Sequence, residues 1–283
     1  KTTNGGTTFS PLMKDERVFS IGDVAVAPSD PRVVWVGTGE ATDRNSAGFG
    51  SGVYRSTDGG ATWARAGLPA SRAISRVRVH PSKPEVAFVA VSGDLWTKGG
   101  ERGLYRTADG GKSWTKVLSA AAPDDADTGC VDVVLSPADP NVVYAALYAR
   151  RRTPYSFTYG PSLTGGRDAG GVFRSTDGGA TWKKLTNGLP PQAGRIGLAV
   201  TPANPKVVMA VVQGDAGGTS GIDEIESRAG GVFRSEDGGD TWVRASRLDP
   251  RPFYFSQIRI DPVNDARVYV LGYALAVSDD GGK

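Results

Sequence analysis

The chain has 283 residues, with 39 glycines and 18 prolines but only one cysteine and one histidine. These two counts exclude a disulfide framework, a cysteine-based zinc site and a multi-histidine metal centre, and we expect neither a metal nor a cofactor. The 33 basic and 30 acidic residues are interspersed and no apolar run approaches the roughly 20 residues of a membrane span, so we expect neither a nucleic-acid partner nor a membrane span.

One segment recurs along the whole chain. It has the form Val-Tyr-Arg-Ser-Thr-Asp-Gly-Gly-Ala-Thr-Trp at 53–63 and returns at 104–114, 172–182 and 232–242, with degenerate copies at both ends. An acidic or amide residue therefore recurs at Asn4, Asp58, Asp109, Asp177, Asp237 and Asp280. The spacing predicts a structural repeat of about fifty residues.

Each repeat reads as four strands. An alternating run ends in proline, a second apolar run follows a short turn, a third strand leads into Asp-Gly-Gly, and a fourth opens with Thr-Trp. Four antiparallel strands per repeat predict an all-β fold, a β-propeller of about five blades. We place the blades at about 18–66, 72–118, 128–186, 194–246 and 255–280, the last together with an isolated strand at 7–13.

Two arrangements of these blades remain open. Strand 7–13 completes the last blade and closes a five-bladed ring, or the chain is a piece of a larger propeller, seven-bladed for example, with more of the same polypeptide at both ends. The start within a repeat and without methionine favours the piece.

The Asp-Gly-Gly segment is a hairpin device. Its carboxylate accepts hydrogen bonds from N–H groups ahead of it and its glycines supply positive φ. The tryptophan that follows covers the end of the blade, at Trp63, Trp114, Trp182 and Trp242. Calcium binding or catalysis by these carboxylates is disfavoured, because one per blade around a ring cannot converge on one site.

The repeated segment resembles the BNR or Asp-box repeat of sialidases, sortilin-type receptors, xyloglucan-hydrolysing enzymes and photosystem assembly factors. The wider sequence resembles large secreted bacterial proteins labelled as glycosyl hydrolases with BNR repeats or as sortilin-like. The segments that carry this second resemblance are 21–26, 37–40, 44–46, 150–154 and 250–254. The resemblance implies a propeller and an extracellular or periplasmic location.

The long loops of successive blades share one face of the disc, because strand direction alternates within each blade. They lie at 37–52, 92–103, 148–170 and 213–230, and variable loops on a regular scaffold usually carry binding sites. Ligand-binding candidates are aromatic and arginine residues: Arg44, Trp96, Arg150, Arg151, Arg152, Tyr155, Phe253 and Tyr254. Solvated loops with incidental charge are the alternative, as is a salt-bridge role between blades for residues 150–152.

A second set lies on the innermost strands, five residues before each terminal proline: Asp23, Arg76, Asp132, Gly197 and Gln257. These residues face the central channel or pair between blades, since a buried unpaired charge is too costly. The expected pairs are Asp23 with Arg76 and Arg76 with Asp132. Arg76 and the neighbouring Arg195 are also candidates for binding a ligand.

Three functional hypotheses follow. The first is a sortilin-like recognition module that binds a protein, peptide or glycan on the loop face. The alternative is a glycoside hydrolase, which needs two carboxyl groups; the candidates are Asp23, Glu40, Asp43 and Asp132. The Arg-Ile-Pro motif of sialidases is absent, and the catalytic aspartates of xyloglucan-cleaving enzymes have no clear counterpart. The third is a purely structural propeller within a larger protein.

Overall fold

Twenty strands form five antiparallel sheets in the computed structural model, which describes residues 1–14, 16–214, 229–272 and 274–283. Blade I contains β1 (Ile21–Ala27), β2 (Asp30–Thr38), β3 (Val53–Ser56) and β4 (Ala64–Arg65). Blade II contains β5 (Ile74–His80), β6 (Lys83–Val91), β7 (Gly103–Thr107) and β8 (Thr115–Leu118). The all-β propeller architecture predicted from the repeat is confirmed.

The remaining blades repeat this order with local additions. Blade III has β9 (Thr128–Leu135), β10 (Val143–Arg152), β12 (Gly171–Ser175) and β13 (Lys183–Leu185); β11 (Phe157–Tyr159) extends β10, and a short helix, α1 (Gly160–Leu163), follows it. Blade IV has β14 (Ile196–Val200), β15 (Val208–Val212), β16 (Gly231–Ser235) and β17 (Val243–Ser246). Blade V has β18 (Gln257–Ile260), β19 (Val268–Leu271) and β20 (Leu275–Ser278).

Two predictions of strand and loop need correction. Residues 7–13 form no strand. Leu12 of this segment instead packs against Gly60 in the Asp-Gly-Gly turn of blade I, and the nearby Lys1 Nζ donates to the Gly59 carbonyl at 3.1 Å. Segment 148–170 is not an irregular loop, because β10 runs on to Arg152 and pairs with β11. Most of loop 213–230 lies outside the described residues.

The apolar core is divided into layers between neighbouring blades. One cluster joins blades I and II through residues such as Trp35, Ile74 and Val77, and equivalent clusters join each following pair. The inner strands pack in the order β1, β5, β9, β14 and β18, and no comparable packing joins β18 to β1 within the described parts of the chain. The blades thus fan around a central channel. No helix in these parts is long and apolar enough to cross a membrane.

Close approach of backbones sets the blade spacing at two glycines of the inner strands. A Cβ on Gly22 would lie 1.8 Å from the Ile74 carbonyl oxygen of blade II, and one on Gly197 would lie 2.0 Å from the Ser256 carbonyl oxygen beside blade V. Only glycine allows these two strands to approach so closely.

Candidate functional site at the channel mouth

A cavity of about 170 Å³ opens at the loop-face end of the channel, and all five blades contribute to its wall. The inner strands supply its floor, and the segment after β2 and the crossing into blade V supply its rim. Polar lining residues include Glu40, Arg76, Asp132, Arg195, Tyr254 and Gln257. The cavity therefore brings together three residues predicted from the inner strands and three others from the loop face.

Glu40 is the partly exposed carboxylate of this cavity. It follows β2, and its Oε1 accepts a hydrogen bond from the Thr42 hydroxyl at 2.8 Å, while its Oε2 accepts one from the Gly48 N–H at 3.3 Å. No ion pair with another described residue occupies it. These two bonds fix the carboxylate and leave it facing the cavity, where it can reach a bound molecule.

Asp43 lies only three residues further but is fully buried. Arg150 Nη1 donates to its Oδ1 at 2.6 Å, the Tyr148 hydroxyl donates to its Oδ2 at 3.1 Å, and Arg195 Nη1 lies 3.5 Å from the same oxygen. The loop of blade I therefore reaches across the channel mouth to blades III and IV. These contacts make Asp43 a structural anchor and leave its carboxylate out of reach of a substrate.

Asp132 and Asp23 link neighbouring blades. Asp132 Oδ1 accepts from Arg76 Nε at 2.8 Å, and its Oδ2 accepts from the Leu198 N–H of blade IV at 2.9 Å. Burial alone would raise the pKa of Asp132, but Arg76 and Arg78 outweigh it and hold the pKa below its ordinary value. Both oxygens of Asp132 are thus used in holding blades II, III and IV together.

The expected pair of Asp23 with Arg76 is not formed. Asp23 Oδ2 instead accepts from the Val77 N–H at 2.9 Å and from Arg78 Nη1 at 3.1 Å. The offset between β1 and β5 places Asp23 beside Arg78, which lies two positions after Arg76 on β5. Arg76 turns to Asp132, as the second expected pair requires.

The arginines at 150–152 are used in the scaffold. Arg150 is buried with Asp43, and Arg151 Nη2 pairs with Asp127. Arg152 Nε donates to the Asp43 carbonyl at 2.9 Å, and its guanidinium lies 5.1 Å above the Phe157 ring. Arg150 and Arg151 therefore have the salt-bridge role that the sequence offered as an alternative to ligand binding. Of the three arginines, only Arg152 packs against an aromatic ring.

A continuous row of aromatic rings runs from the buried core of blade III (Tyr148 and Tyr159) to the loop face beside blade V, and we call it the aromatic ridge. Neighbouring ring centroids along it are 5.3 to 6.4 Å apart. Arg44 lies 4.9 Å from the Tyr254 centroid, and Arg251 stacks on the same ring at 5.3 Å. The ridge consists of Tyr148, Tyr159, Phe157, Phe253, Tyr254 and Phe255. The ridge reaches the cavity at Tyr254, which places an apolar aromatic surface beside the Glu40 carboxylate.

Two predicted ligand-binding residues lie apart from this ridge. Trp96 is half-buried in loop 92–103, which is wound around Arg102; that guanidinium donates to the Ser92, Asp94, Thr97 and Gly99 carbonyls. Tyr155, at the tip of the β10–β11 hairpin, is 98% exposed. The structure brings neither residue into the cavity wall.

Asp249 is a buried carboxyl group that the sequence pattern does not predict. It lies on the crossing from blade IV to blade V, four residues before Phe253, and is almost completely buried. Its Oδ1 has no hydrogen-bond partner, and burial raises its pKa well above the ordinary value. Nothing in the sequence distinguishes this Asp-Pro from turn residues elsewhere, since its burial depends on how blade V packs.

The Asp-Gly-Gly turns lie on the opposite face, which we call the turn face. In blade I, Asp58 Oδ1 accepts from the Thr62 N–H at 2.9 Å and its Oδ2 accepts from the Thr62 hydroxyl at 2.6 Å. Asp109, Asp177 and Asp237 repeat this geometry, and Asp280 and Asn4 make shorter versions of it. Each of these turns closes on itself, at a distance from the cavity.

The tryptophans after the turns hold the hairpins shut. Trp63, Trp182 and Trp242 donate their indole N–H to the carbonyl of the second turn glycine at 2.9 to 3.2 Å. Trp114 differs, because its indole N–H donates to the Ala66 carbonyl of blade I and its ring packs edge-on against Trp35. The indole hydrogen bond therefore stays within one blade at three of the tryptophans and links two blades at Trp114.

Comparison with known proteins agrees with this description. The family model "BNR/Asp-box repeat" matches residues 54–65 and 173–184. Over longer stretches the chain is 28% identical to a xyloglucanase from Paenibacillus sp, across 88% of this chain and 19% of that protein. It is also 28% identical to a probable oligoxyloglucan-reducing end-specific xyloglucanase from Neosartorya fischeri, across 95% of this chain and 30% of that protein.

Solved structures give the same fold. A Niastella koreensis GH74 enzyme superposes with a TM-score of 0.62 at 22% identity, covering 92% of this chain and 36% of that one. An ancestral GH74 enzyme follows with a TM-score of 0.59 at 22% identity, covering 89% and 27%. The chain thus spans less than a third of the length of these two curated relatives. It is a β-propeller that carries BNR/Asp-box repeats.

The expectation of a sortilin-like binding module is wrong. The relatives whose similarity extends over most of this chain are glycoside hydrolases. This similarity supports the alternative hypothesis of a glycoside hydrolase. Aromatic and arginine residues on a loop face suit a receptor and a polysaccharide-binding cleft equally well, so residue type alone could not separate the two. Four of the predicted anchors (Arg76, Arg150, Arg151 and Arg195) are moreover engaged in ion pairs.

Proposed function

We propose that the chain forms part of a xyloglucanase-like glycoside hydrolase that acts on a polysaccharide at the loop face. One observation carries this proposal: two xyloglucanases match 250 and 282 aligned residues. A similarity limited to the repeat would cover only the short turn segments. The match instead runs through the inner strands and the loops that build the cavity.

Glycoside hydrolysis commonly uses two carboxyl groups, one protonated to assist the leaving group and one ionised. We assign the ionised role to Glu40, because its carboxylate faces the cavity and is held by Thr42 and Gly48 alone. Asp249 is our candidate for the protonated group. Burial keeps a carboxyl neutral and raises the pKa of Asp249. Asp249 belongs to the same crossing into blade V that supplies Tyr254 and Phe255 to the cavity wall, although it does not line the cavity itself.

The aromatic ridge supports a carbohydrate substrate. Pyranose rings present apolar C–H faces, and aromatic side chains offer a flat apolar surface of similar size with edge polarity. Phe253 and Tyr254 lie between the cavity and the rest of the ridge. A glucan chain lying along Phe157, Phe253 and Tyr254 would pass Glu40 at the cavity. Because a polysaccharide of this size is met outside the cell, we also propose an extracellular location.

The test is hydrolysis of tamarind xyloglucan, followed by reducing-end release and product chromatography. We expect Glu40→Gln to lower kcat by about 10²-fold or more, since removal of a general acid or base costs about 10² to 10⁴. Glu236→Gln, an exposed glutamate on the turn face, is the matched control and should retain full activity. Absence of hydrolysis by the unmodified protein, or equal activity of Glu40→Gln, would overturn the proposal.

A further inference from the structure

The channel is lined at two levels. Side chains two residues apart on a strand point to the same side, so the residues three before each terminal proline form a second level below Asp23, Arg76, Asp132, Gly197 and Gln257. The second level consists of Ala25, Arg78, Val134, Ala199 and Arg259. The upper level holds one arginine and two aspartates. The lower level holds two arginines and no acid.

A second cavity, of about 430 Å³, opens at this lower level on the turn face. Arg78 and Arg259 are its two charged lining residues, and no carboxylate contributes to the wall. The other lining residues are mainly apolar: Val79, Pro81, Val134, Leu135, Ser136, Pro137, Leu198, Ala199, Val200 and Ile260. The volume lies in the range of ordinary small-molecule sites.

The positive charge of this cavity is incompletely balanced. Arg78 Nη1 donates to Asp23 Oδ2 at 3.1 Å and to its neighbour's carbonyl, whereas Arg259 donates only to the Ile258 carbonyl at 2.7 Å and to Gln257 Oε1 at 3.4 Å. Within the described parts of the chain, Arg259 makes no ion pair. The two levels of inner-strand residues then contain three guanidinium groups and two carboxylates.

The pKa values of the two arginines point the same way. Removal from water is the main cause that lowers the pKa of Arg78 and of Arg259. The positive charge of Arg76 also lowers both pKa values, and the charges of Asp132 and Asp23 offset the decrease only in part. A guanidinium group stays protonated in proteins, so this environment does not discharge it. A bound anion would relieve the excess of positive charge.

We propose that the turn-face mouth of the channel binds an organic carboxylate with an apolar body. The carboxylate lies between Arg78 and Arg259, since guanidinium groups donate paired hydrogen bonds to such groups. The apolar body packs against Val134, Leu198 and Ile260. This site is at the opposite end of the channel from Glu40 and is independent of the hydrolase proposal.

The probe is 4-phenylbutyrate, with 4-phenylbutyramide as its uncharged counterpart, titrated by isothermal calorimetry into the full chain at low and at physiological salt. We expect the carboxylate to bind at least tenfold more tightly than the amide. Arg259→Gln should weaken carboxylate binding at least tenfold, and Arg259→Lys should weaken it less, because the charge remains and the paired donors are lost. Arg267→Gln, an exposed arginine of the same blade, is the control and should bind as the unmodified chain does.

Three results would overturn the proposal. The first is that 4-phenylbutyrate does not bind even at about ten times a millimolar concentration, since a millimolar dissociation constant is a weak affinity. The second is equal binding of the acid and the amide, and the third is unchanged binding by Arg259→Gln. A melting curve of each variant accompanies the titration. A variant that fails to fold is replaced by Arg78→Lys, which keeps the charge opposite Asp23 and is expected to lose affinity in the same direction.

Discussion

Asp249 and Glu40 show how two carboxyl groups of one face acquire different chemistry. Glu40 is partly exposed and accepts two hydrogen bonds, whereas Asp249 is buried with one oxygen unpartnered. Desolvation disfavours the charged form of a carboxyl, and hydrogen bonds to its oxygens favour it. Burial therefore raises the pKa of Asp249, whereas the Glu40 carboxylate faces the cavity.

Asp249→Asn should remove the alkaline limit of the pH–rate profile if Asp249 is the acid. A group whose pKa is raised in the folded protein stays protonated at higher pH, and activity falls as the pH rises through that pKa. We expect the variant to lose about 10² to 10⁴ in kcat/KM on xyloglucan. The profile of kcat/KM between pH 4 and 9 is the measurement. If the pH profile and the magnitude of kcat/KM are unchanged in the variant, Asp249 is not the catalytic acid and has only a structural role.

The Asp-Gly-Gly turn is the element that depends least on its surroundings. In each of the four complete copies the hydroxyl and N–H of the residue four positions on, together with a preceding hydroxyl, hold the pKa of the aspartate well below its ordinary value. These carboxylates are exposed, so their effect is local and open to solvent. The turn recurs because all its hydrogen bonds lie within one hairpin.

Acid should therefore destabilise the propeller through its turns. Because the folded pKa of these aspartates is below the unfolded value, their stabilisation is complete above about pH 5 and is lost as the pH falls below about 4. We expect the urea midpoint, followed by tryptophan fluorescence, to fall between pH 5 and pH 3. Asp177→Ala should lower the midpoint at pH 5 and narrow the difference between the two pH values. An identical pH dependence with and without Asp177 would contradict this assignment.

The same elements show which features a sequence can predict. The Asp-Gly-Gly turns and the four-strand order of blades I to IV are local or periodic, so the sequence predicts them, whereas the fourth strand that it predicts for blade V at 7–13 is not formed. The partner of Asp23 was not, because the choice of Arg78 over Arg76 is made by the stagger between two blades. Asp43 and Arg150 are 107 positions apart, and no periodicity connects them.

At the scale of the molecule, Asp43 joins parts of the fan that share no sheet. It bonds to Arg150 of blade III and Arg195 of the strand entry to blade IV, and its N–H donates to the Phe253 carbonyl before blade V. The three side chains of the two ion pairs are buried. The loop of blade I therefore fixes three other blades at the channel mouth.

Asp43→Ala should be severely destabilising. It leaves Arg150 buried without its carboxylate, and breaking one partner of a buried pair costs about 3 to 5 kcal/mol. Urea unfolding of the variant measures this loss. Asp125→Ala, at an exposed aspartate within the short 3₁₀ helix Asp124–Ala126, is the control and should change stability by no more than about 0.5 kcal/mol. A loss of less than about 1 kcal/mol at Asp43 would show that solvent or another group compensates.

The anchor at Asp43 also alters how the fan comes apart. Repeat proteins whose units touch only their neighbours unfold piecewise, as a chain of nearly independent steps. Asp43 adds contacts from blade I to blades III, IV and V, so that unfolding of any one of these blades also breaks contacts of the others. Unfolding should then be a single concerted event, and loss of these contacts should convert it into the stepwise melting of a linear array.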